Sequence, residues 1–428
     1  MLYAIIVLAF FFAACSEPEQ GIVITFPSST VGAEAEVLRR QLGRFMEQHP
    51  EIRVVQRTTP DAADQRHQLY VQWLNAGASD PDILQLDVIW TPEFAAAGWI
   101  LPLDAFSPAT ESFFPATVTA NQWQGKLYAL PWFVDVGMLY WRTDLLDHPP
   151  TSFEELSQQA SEIRSRAGLP FGFVWQGARY EGLVTVFLEH LGGFGGQILD
   201  RAGRVVVDSE AAIRALTYMR DAIRQNGTVP ESVLTWQEEQ TRFAFQNGQA
   251  VFMRNWPYAC ALLQTRGESQ VADKFAVALM PTSPVGAPTA ALGGSQLAIN
   301  AHSDHPQAAY AVIEYLTRPE QMRERAKFVG QYPTRPALYE DGALAATLAI
   351  PPEQARRIIE RAVPRPVTPV YTELSAILQI QLHRALTQQQ EPAEALKDAA
   401  REMRELLERV GLASGDQESN QHSVASSQ

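Results

Sequence analysis

Three carboxylates interrupt apolar runs, and each can do chemistry where it stands: Asp87 in LQLDVIW, Asp135 in PWFVDVGMLYW and Glu181 in VWQGARYEGL. Burying an unpaired carboxylate is costly. Asp135 therefore needs a donor, either an arginine or the hydroxyl of a ligand. Asp87 lies near the carboxyl end of an apolar strand, where open α/β sheets place their ligands. It could equally cap a following helix. Gln176, Tyr180 and Glu181 crowd donors and acceptors into a glycine-punctuated loop after a strand. For each acid, an intraprotein ion pair is the competing explanation.

Aromatic residues accompany these acids. Trp90, Trp132, Phe133, Trp175, Tyr180, Trp256, Tyr258 and Tyr371 all fall at or just beyond expected element ends. In FQNGQAVFMRNWPYA an apolar run stops at Arg254-Asn255, and Trp256 and Tyr258 straddle a proline. Pro257 fixes its own φ and biases Trp256 toward an extended backbone. Taken singly, each aromatic is core or rim packing. Together with the acids they suit a sugar, which offers apolar C–H faces for stacking and hydroxyls for hydrogen bonds. Such a pocket has mostly apolar walls and a few placed polar groups.

The elements that must position these residues follow from periodicity. IVITF, IRVVQ and PDILQLDVIW read as strands, separated by a helix over 33–48 and a polar helix that runs to Gly77. Leu69 and Trp73 are expected on the inner face of the second helix. Strand–helix alternation of this kind is a doubly wound α/β pattern. A strong strand, VGMLYW, follows Pro131. SFEELSQQASEIRSRAG is a helix with Ser152 as N-cap and Glu155 three residues on. LPFGFVW and LGGSQLAIN are further strands, and helices are expected at 183–192 and 209–226. HPQAAYAVIEYLTRPEQMRERA is two helices broken at Pro319. The chain closes with helices 351–362, 372–389 and 392–410, the last with Leu396, Ala399, Met403, Leu406 and Val410 on one face. Residues 413–428 are Ser/Gln-rich and expected to be disordered.

A chain of 428 residues is too long for one compact core. Hydrophobic residues at 46% and charged residues at 19% fit a soluble globular protein. A net charge of −14 without a basic stripe argues against nucleic acid. Leu2 to Ala14 is an uncharged run too short to span a bilayer, and it suits a secretory signal. It ends in FAAC, which resembles a bacterial lipoprotein box with Cys15 as the lipidated first mature residue. The usual Lys or Arg ahead of the apolar run is missing. Cys260 is then without an intrachain partner, and in ACALL it reads as a small buried hydrophobe. There is no nucleophile elbow, phosphate loop or metal-ligand cluster, and the eight histidines are scattered. No cofactor or metal is expected.

Several segments, in order over about 20–410, resemble the extracellular solute-binding proteins of ABC sugar importers, the group with maltose- and trehalose/maltose-binding proteins. They are DILQLDVIWTPEFAAAGWILPLD, GKLYALPWFVDVGMLYWRTDLL, FQNGQAVFMRNWPYA, LGGSQLAINAHSDHPQAAYAVIEYLT and EPAEALKDAAREM. The resemblance implies an α/β, two-lobed periplasmic-binding-protein fold with a hinge and a ligand cleft between the lobes. Signal 1–14 and lipidated linker 15–20 would precede lobe one, 21–133 with 293–331. Lobe two would be 136–285 with 334–410, with hinge crossings near 134, 290 and 332. The resemblance puts Asp87 on the lobe-one rim, Asp135 at the first crossing and Trp256 with Tyr258 on a lobe-two stacking platform. Gly293-Gly294 would bring backbone near the sugar, and Arg365 in VPRPVTPVY would be a ligand arginine. The loop of Gln176, Tyr180 and Glu181 also looks closer to the trehalose/maltose subgroup. Ser295 stands where some relatives have an aromatic, and Glu34 and Glu36 compete for the acid of the first helix. The implied protein is an exported, membrane-anchored monomer, binding a di- or oligosaccharide and docking on ABC permease subunits. Two other classes remain open: a glycosidase using paired carboxylates, and a binding protein for a non-sugar solute such as a polyamine or phosphate.

Overall fold

The computed structural model describes residues 21–28, 33–60, 63–345, 348 and 350–413; the stretch expected to be a signal, Cys15 and residues 414–428 of the expected disordered tail lie outside these. The apolar runs sort into two main sheets. In the first, Ala290–Ile299 is the central strand. It runs antiparallel to Ile83–Asp87 and to Ala129–Val136, and its start pairs in parallel with Ala362–Val363. Ile22–Ser28 and Ile52–Thr58 form a parallel pair. The Asp82 carboxylate ties that pair to the sheet, accepting the Thr25 N–H at 2.8 Å and the Thr25 hydroxyl at 3.0 Å. The second sheet has the order Phe275–Ala278, Met138–Arg142, Ala250–Asn255, Phe171–Val174, the last two parallel.

The chain passes from the first sheet to the second between Val136 and Met138. Gly137 sits at this passage. A Cβ there would lie 1.7 Å from Glu189 Oε1 and 2.5 Å from Arg254 Nη2, so only glycine leaves the ion pair room. Nearby, Val134 N–H donates to Tyr332 O at 2.9 Å and Gly137 N–H to Ala291 O at 3.3 Å. Val134 thus lies beside Tyr332, and Gly137 beside Ala291. Ala362–Val363, expected in lobe two, is a strand of the first sheet.

Helix starts follow local chemistry. The Ser152 hydroxyl accepts the Glu155 N–H at 3.1 Å and caps Phe153–Ala167, which ends at Gly168 with φ +64°. Such a cap contributes about 1 kcal/mol. The helix Glu181–Gly193 is buried nearly throughout, so its apolar run GLVTVFLEHLGG carries Glu189 and His190 into the core.

Two readings of helix faces are corrected. In Ala63–Asn75 the buried residues are Arg66, Tyr70 and Leu74, not Leu69 and Trp73. The reason is Trp90, which Tyr70 meets edge-on and over which the Arg66 guanidinium lies at 5.4 Å. In Pro392–Arg409 the stripe Leu396, Ala399, Met403, Leu406 is buried, but Val410 stands past the last turn and is exposed. The PDILQLDVIW strand is also shorter than expected, ending at Asp87. Cys260 is buried as expected, 3.2 Å from the Tyr140 hydroxyl, and burial pushes its thiol up to about 12.

Candidate ligand-binding site

Strand register brings the sequence candidates onto adjacent positions. Asp87 stands opposite Ser295, and Asp135 opposite Gly293. Gly294 adopts φ +114°, where a Cβ would meet Phe133 O at 2.2 Å. The Gly-Gly pair therefore lets three strands lie close at the point where the acids gather.

Asp87 closes the turn after its strand. Its Oδ1 accepts the Ile89 N–H at 3.2 Å and an Arg365 Nη2–H at 3.1 Å. Arg365 is buried and also donates to Glu181 Oε1 at 2.8 Å and to Leu292 O at 3.3 Å. Glu181 in turn accepts from the Tyr371 hydroxyl at 2.7 Å and from the Ser375 hydroxyl. Burial pushes the Glu181 carboxyl up, offset in part by Arg365, Ser375 and Tyr371. Burial alone would lower the Arg365 guanidinium, but the charges of Asp87 and Glu181 outweigh it and hold it above its ordinary value. One arginine thus links the end of the first sheet to the start of a second-half helix. Thr372 adds a parallel contact, its hydroxyl donating to Glu93 Oε2 at 2.9 Å.

Asp135 is treated differently. It makes no ion pair among the described residues, and its Oδ1 is buried without a hydrogen-bond partner. Desolvation, then the charges of Glu34 and Asp87, push its carboxyl up to about 7, against the pull of Arg325 and Arg254. Of the two first-helix acids, Glu34 faces this cluster and Glu36 is exposed, paired with Arg40. Glu34 Oε1 accepts from Arg325 Nη2 at 3.1 Å, Gln331 Nε2 at 3.3 Å and Gln85 Nε2 at 3.4 Å. The Arg325 guanidinium lies 3.8 Å from the Trp132 ring centroid.

A carboxyl whose folded value is about 7 binds its proton more tightly folded than unfolded, where it is ~3.9. The stability this contributes is present below the ordinary value and is lost as pH rises through about 7. Thermal scans of ligand-free protein should therefore show a decline from about pH 4 to about pH 7, levelling off above, that Asp135→Asn removes. A decline unchanged in the variant contradicts the assignment.

Trp256 follows the strand Ala250–Asn255, and Pro257 (φ −57°) opens the helix Tyr258–Leu263. The Trp256 carbonyl accepts from the Tyr140 hydroxyl at 2.6 Å. Its half-buried ring lies 3.9 Å from the Arg254 guanidinium and donates Nε1–H to Glu238 Oε1 at 3.3 Å. A Cβ on Gly293 would come within 3.3 Å of its Cζ3, so the ring stands against the strand that carries Asp135's neighbour. Tyr258 donates to Glu239 Oε1 at 2.7 Å. Tyr180 precedes the helix of Glu181, and Gly182 leaves space for its ring.

Five of the eight aromatics, Trp90, Trp132, Phe133, Trp175 and Tyr371, are buried; Tyr180, Trp256 and Tyr258 are half-buried. Two polar expectations change role. Gln176 is fully buried, donating to Thr241 Oγ1 at 2.8 Å and accepting from Arg254 Nη1 at 3.1 Å. Glu181 has both oxygens engaged. Each holds an arginine in place, Glu181 the Arg365 guanidinium and Gln176 that of Arg254. Sequence reasoning missed Glu189, Arg254 and Arg325. The signal existed for two of them: a lone acid in VFLEHL and a lone arginine in AVFMRN, each in an apolar run that buries it.

A family model described as bacterial extracellular solute-binding protein matches residues 42–352. The chain is a member of that family. A "Probable ABC transporter-binding protein" of Deinococcus radiodurans is 36% identical over 411 residues, covering 92% of this solute-binding protein and 96% of the relative. The solved structure described as maltose bound T. maritima MalE3 is 43% identical, with a TM-score of 0.86 over 90% of this chain and all of that one. The GacH receptor of Streptomyces glaucescens, at 24% identity and TM-score 0.81, covers 91% of this chain and 99% of its own. That likeness speaks for the fold alone. The α/β, two-lobed architecture expected from sequence is the fold of this solute-binding protein. Its family is one of extracellular binding proteins, not of enzymes.

Proposed function

We propose that this solute-binding protein captures a disaccharide or short oligosaccharide of maltose or trehalose type between its two lobes and delivers it to an ABC permease. One observation carries the reading: a half-buried tryptophan stands across Gly293 from a carboxylate oxygen without a partner. A pyranose needs just such a pair, a flat aromatic face and an acceptor for its hydroxyl. The likeness to a maltose-bound protein at 43% identity supports it. A glycosidase would need two free carboxylates; Asp87 and Glu181 are both held by Arg365.

In this reading Trp256 stacks on a sugar ring, Asp135 accepts from a hydroxyl, and Gly293-Gly294 admit the ring to the strand. Arg365 and Asp87 form the wall linking the lobes, with Tyr180 and Tyr258 beside the platform. A ligand that binds only the folded state raises apparent stability. Maltose, maltotriose and trehalose are therefore expected to raise the melting temperature in a thermal-shift screen, and spermidine and phosphate to leave it unchanged. No shift with any glucoside, or a shift with phosphate alone, overturns the reading. Because burial pushes the Asp135 carboxyl up to about 7 and it accepts as the carboxylate, binding should tighten as pH rises through about 7 and release a proton. Calorimetry at about pH 6 in two buffers of different ionisation enthalpy measures that proton; none released counts against Asp135 as acceptor.

The FAAC junction supports lipidation of Cys15 and a tether to the outer face of a membrane. Mass spectrometry of membrane-extracted protein should find a diacylglyceryl-type mass on a chain beginning at Cys15. A freely soluble chain starting elsewhere rejects the tether.

A further inference from the structure

Glu189 and Arg254 are both fully buried and form a two-pronged ion pair, Nε to Oε2 at 2.8 Å and Nη2 to Oε1 at 2.5 Å. Two buried charges are costly, and a hydrophobic pair of similar volume is often as stable. Their surroundings connect two places. On one side, Glu189 Oε1 accepts the Ala291 N–H at 3.2 Å, and Gly137 is notched to let the pair pass. Gly137 N–H donates a hydrogen bond to Ala291 O where the chain leaves one sheet for the other. On the other side, the Arg254 guanidinium lies under the Trp256 ring at 3.9 Å and is fixed by Gln176. No other buried ion pair touches both the inter-sheet passage and the half-buried tryptophan among the described residues.

We infer that Glu189 and Arg254 are positioning residues that couple the strand passage between the lobes to the Trp256 platform. The inference rests on the reading of Trp256 as the ligand platform. A shift of the strands at Gly137 and Ala291 moves Glu189, which carries Arg254 and so the face offered to the ligand. A ring seated on Trp256 fixes the same pair and with it the passage. Each link is a hydrogen bond or a stacked contact, so lobe movement and ligand contact bias one element. A pair that served only to satisfy two core charges would leave ligand affinity unchanged once replaced by a neutral pair of like volume.

The double variant Glu189→Gln with Arg254→Met removes the charges and the bidentate geometry together. It is expected to melt near the parent but to bind maltose about tenfold or more weakly by calorimetry, a loss of about 1.4 kcal/mol or more. Amide exchange by mass spectrometry of the ligand-free variant should be faster together at 136–139, 289–292 and 255–259. Affinity within about threefold of the parent, with exchange raised at only one of these segments, overturns the coupling. If the double variant does not fold, Glu189→Asp is measured the same way; it keeps the charge but shortens the reach to Ala291. If maltose binds the parent and Trp256→Ala equally, the platform reading has failed. The exchange pattern then decides alone: joint acceleration supports the coupling, and acceleration at the passage without the platform refutes it.

Discussion

Trp256→Ala is expected to weaken maltose binding by ~30- to 1000-fold while leaving the protein folded. A buried aromatic anchor typically contributes ~2–4 kcal/mol to binding, and about 1.4 kcal/mol is a decade of affinity. Several observations make the ring an anchor. It is only half-buried, at the margin of the second core and not inside it. Arg254 takes the ring at 3.9 Å, Glu238 takes its N–H, and Gly293 clears its edge, so the ring is held before any ligand arrives. A group already ordered loses little entropy on binding. If the ring were core packing, its truncation would instead cost about 3–5 kcal/mol of folding stability and leave affinity almost normal. Melting temperature and calorimetric affinity on the same variant separate the two. A large melting loss with affinity within about threefold returns Trp256 to the core.

Arg365→Met is expected to be among the most destabilising single changes in the described chain. It strands Glu181 in the interior and frees Asp87 beside it. Removing one partner of a buried ion pair typically costs ~3–5 kcal/mol, because the remaining charge is left uncompensated. Tyr371 and Ser375 still donate to Glu181, which should hold the cost toward the lower end. Arg365→Lys should recover only part, since an ammonium cannot span two carboxylates as a planar guanidinium does. The double variant Arg365→Met with Glu181→Gln should be more stable than Arg365→Met alone, with a coupling of at least ~1 kcal/mol in a double-mutant cycle. Denaturant titration gives these differences. Additive effects would mean that Arg365 does not serve Glu181.

Much of the fold was legible because hydrophobic period reports burial directly. The helix Phe153–Ala167 has its cap, its apolar stripe and its terminal glycine in one short stretch. The strand from Leu292 was visible as an apolar run around two glycines; of the residues it brings together, Asp87, Asp135 and Trp256 stood out as residues, while Gly293 and Arg365 were named only through the family resemblance. What period cannot reveal is which partner a polar residue finds. Asp87, Asp135 and Glu181 look alike in sequence, each an acid beside apolar neighbours. Arg365, some 180 or more positions along the chain, answers two of them and leaves the third open. Gln176 looked like a loop residue near a ligand because its neighbours are Gly177 and Tyr180. It lies instead under Arg254, whose demand for an acceptor outweighed its place in the loop. Leu69 and Trp73 were assigned to the inside by hydrophobicity, whereas Trp90 selects the face with Tyr70 and Arg66.

The central claim, that a sugar ring sits on Trp256 with a hydroxyl on Asp135, is tested most directly by a crystal structure with maltose at saturating concentration. The expected difference density is a pyranose ring within about 4 Å of the Trp256 face, with one hydroxyl at hydrogen-bond distance, about 2.5–3.0 Å, from Asp135 Oδ1. Density for maltose away from Trp256, or an Asp135 carboxylate still without a partner beside a bound sugar, would contradict it.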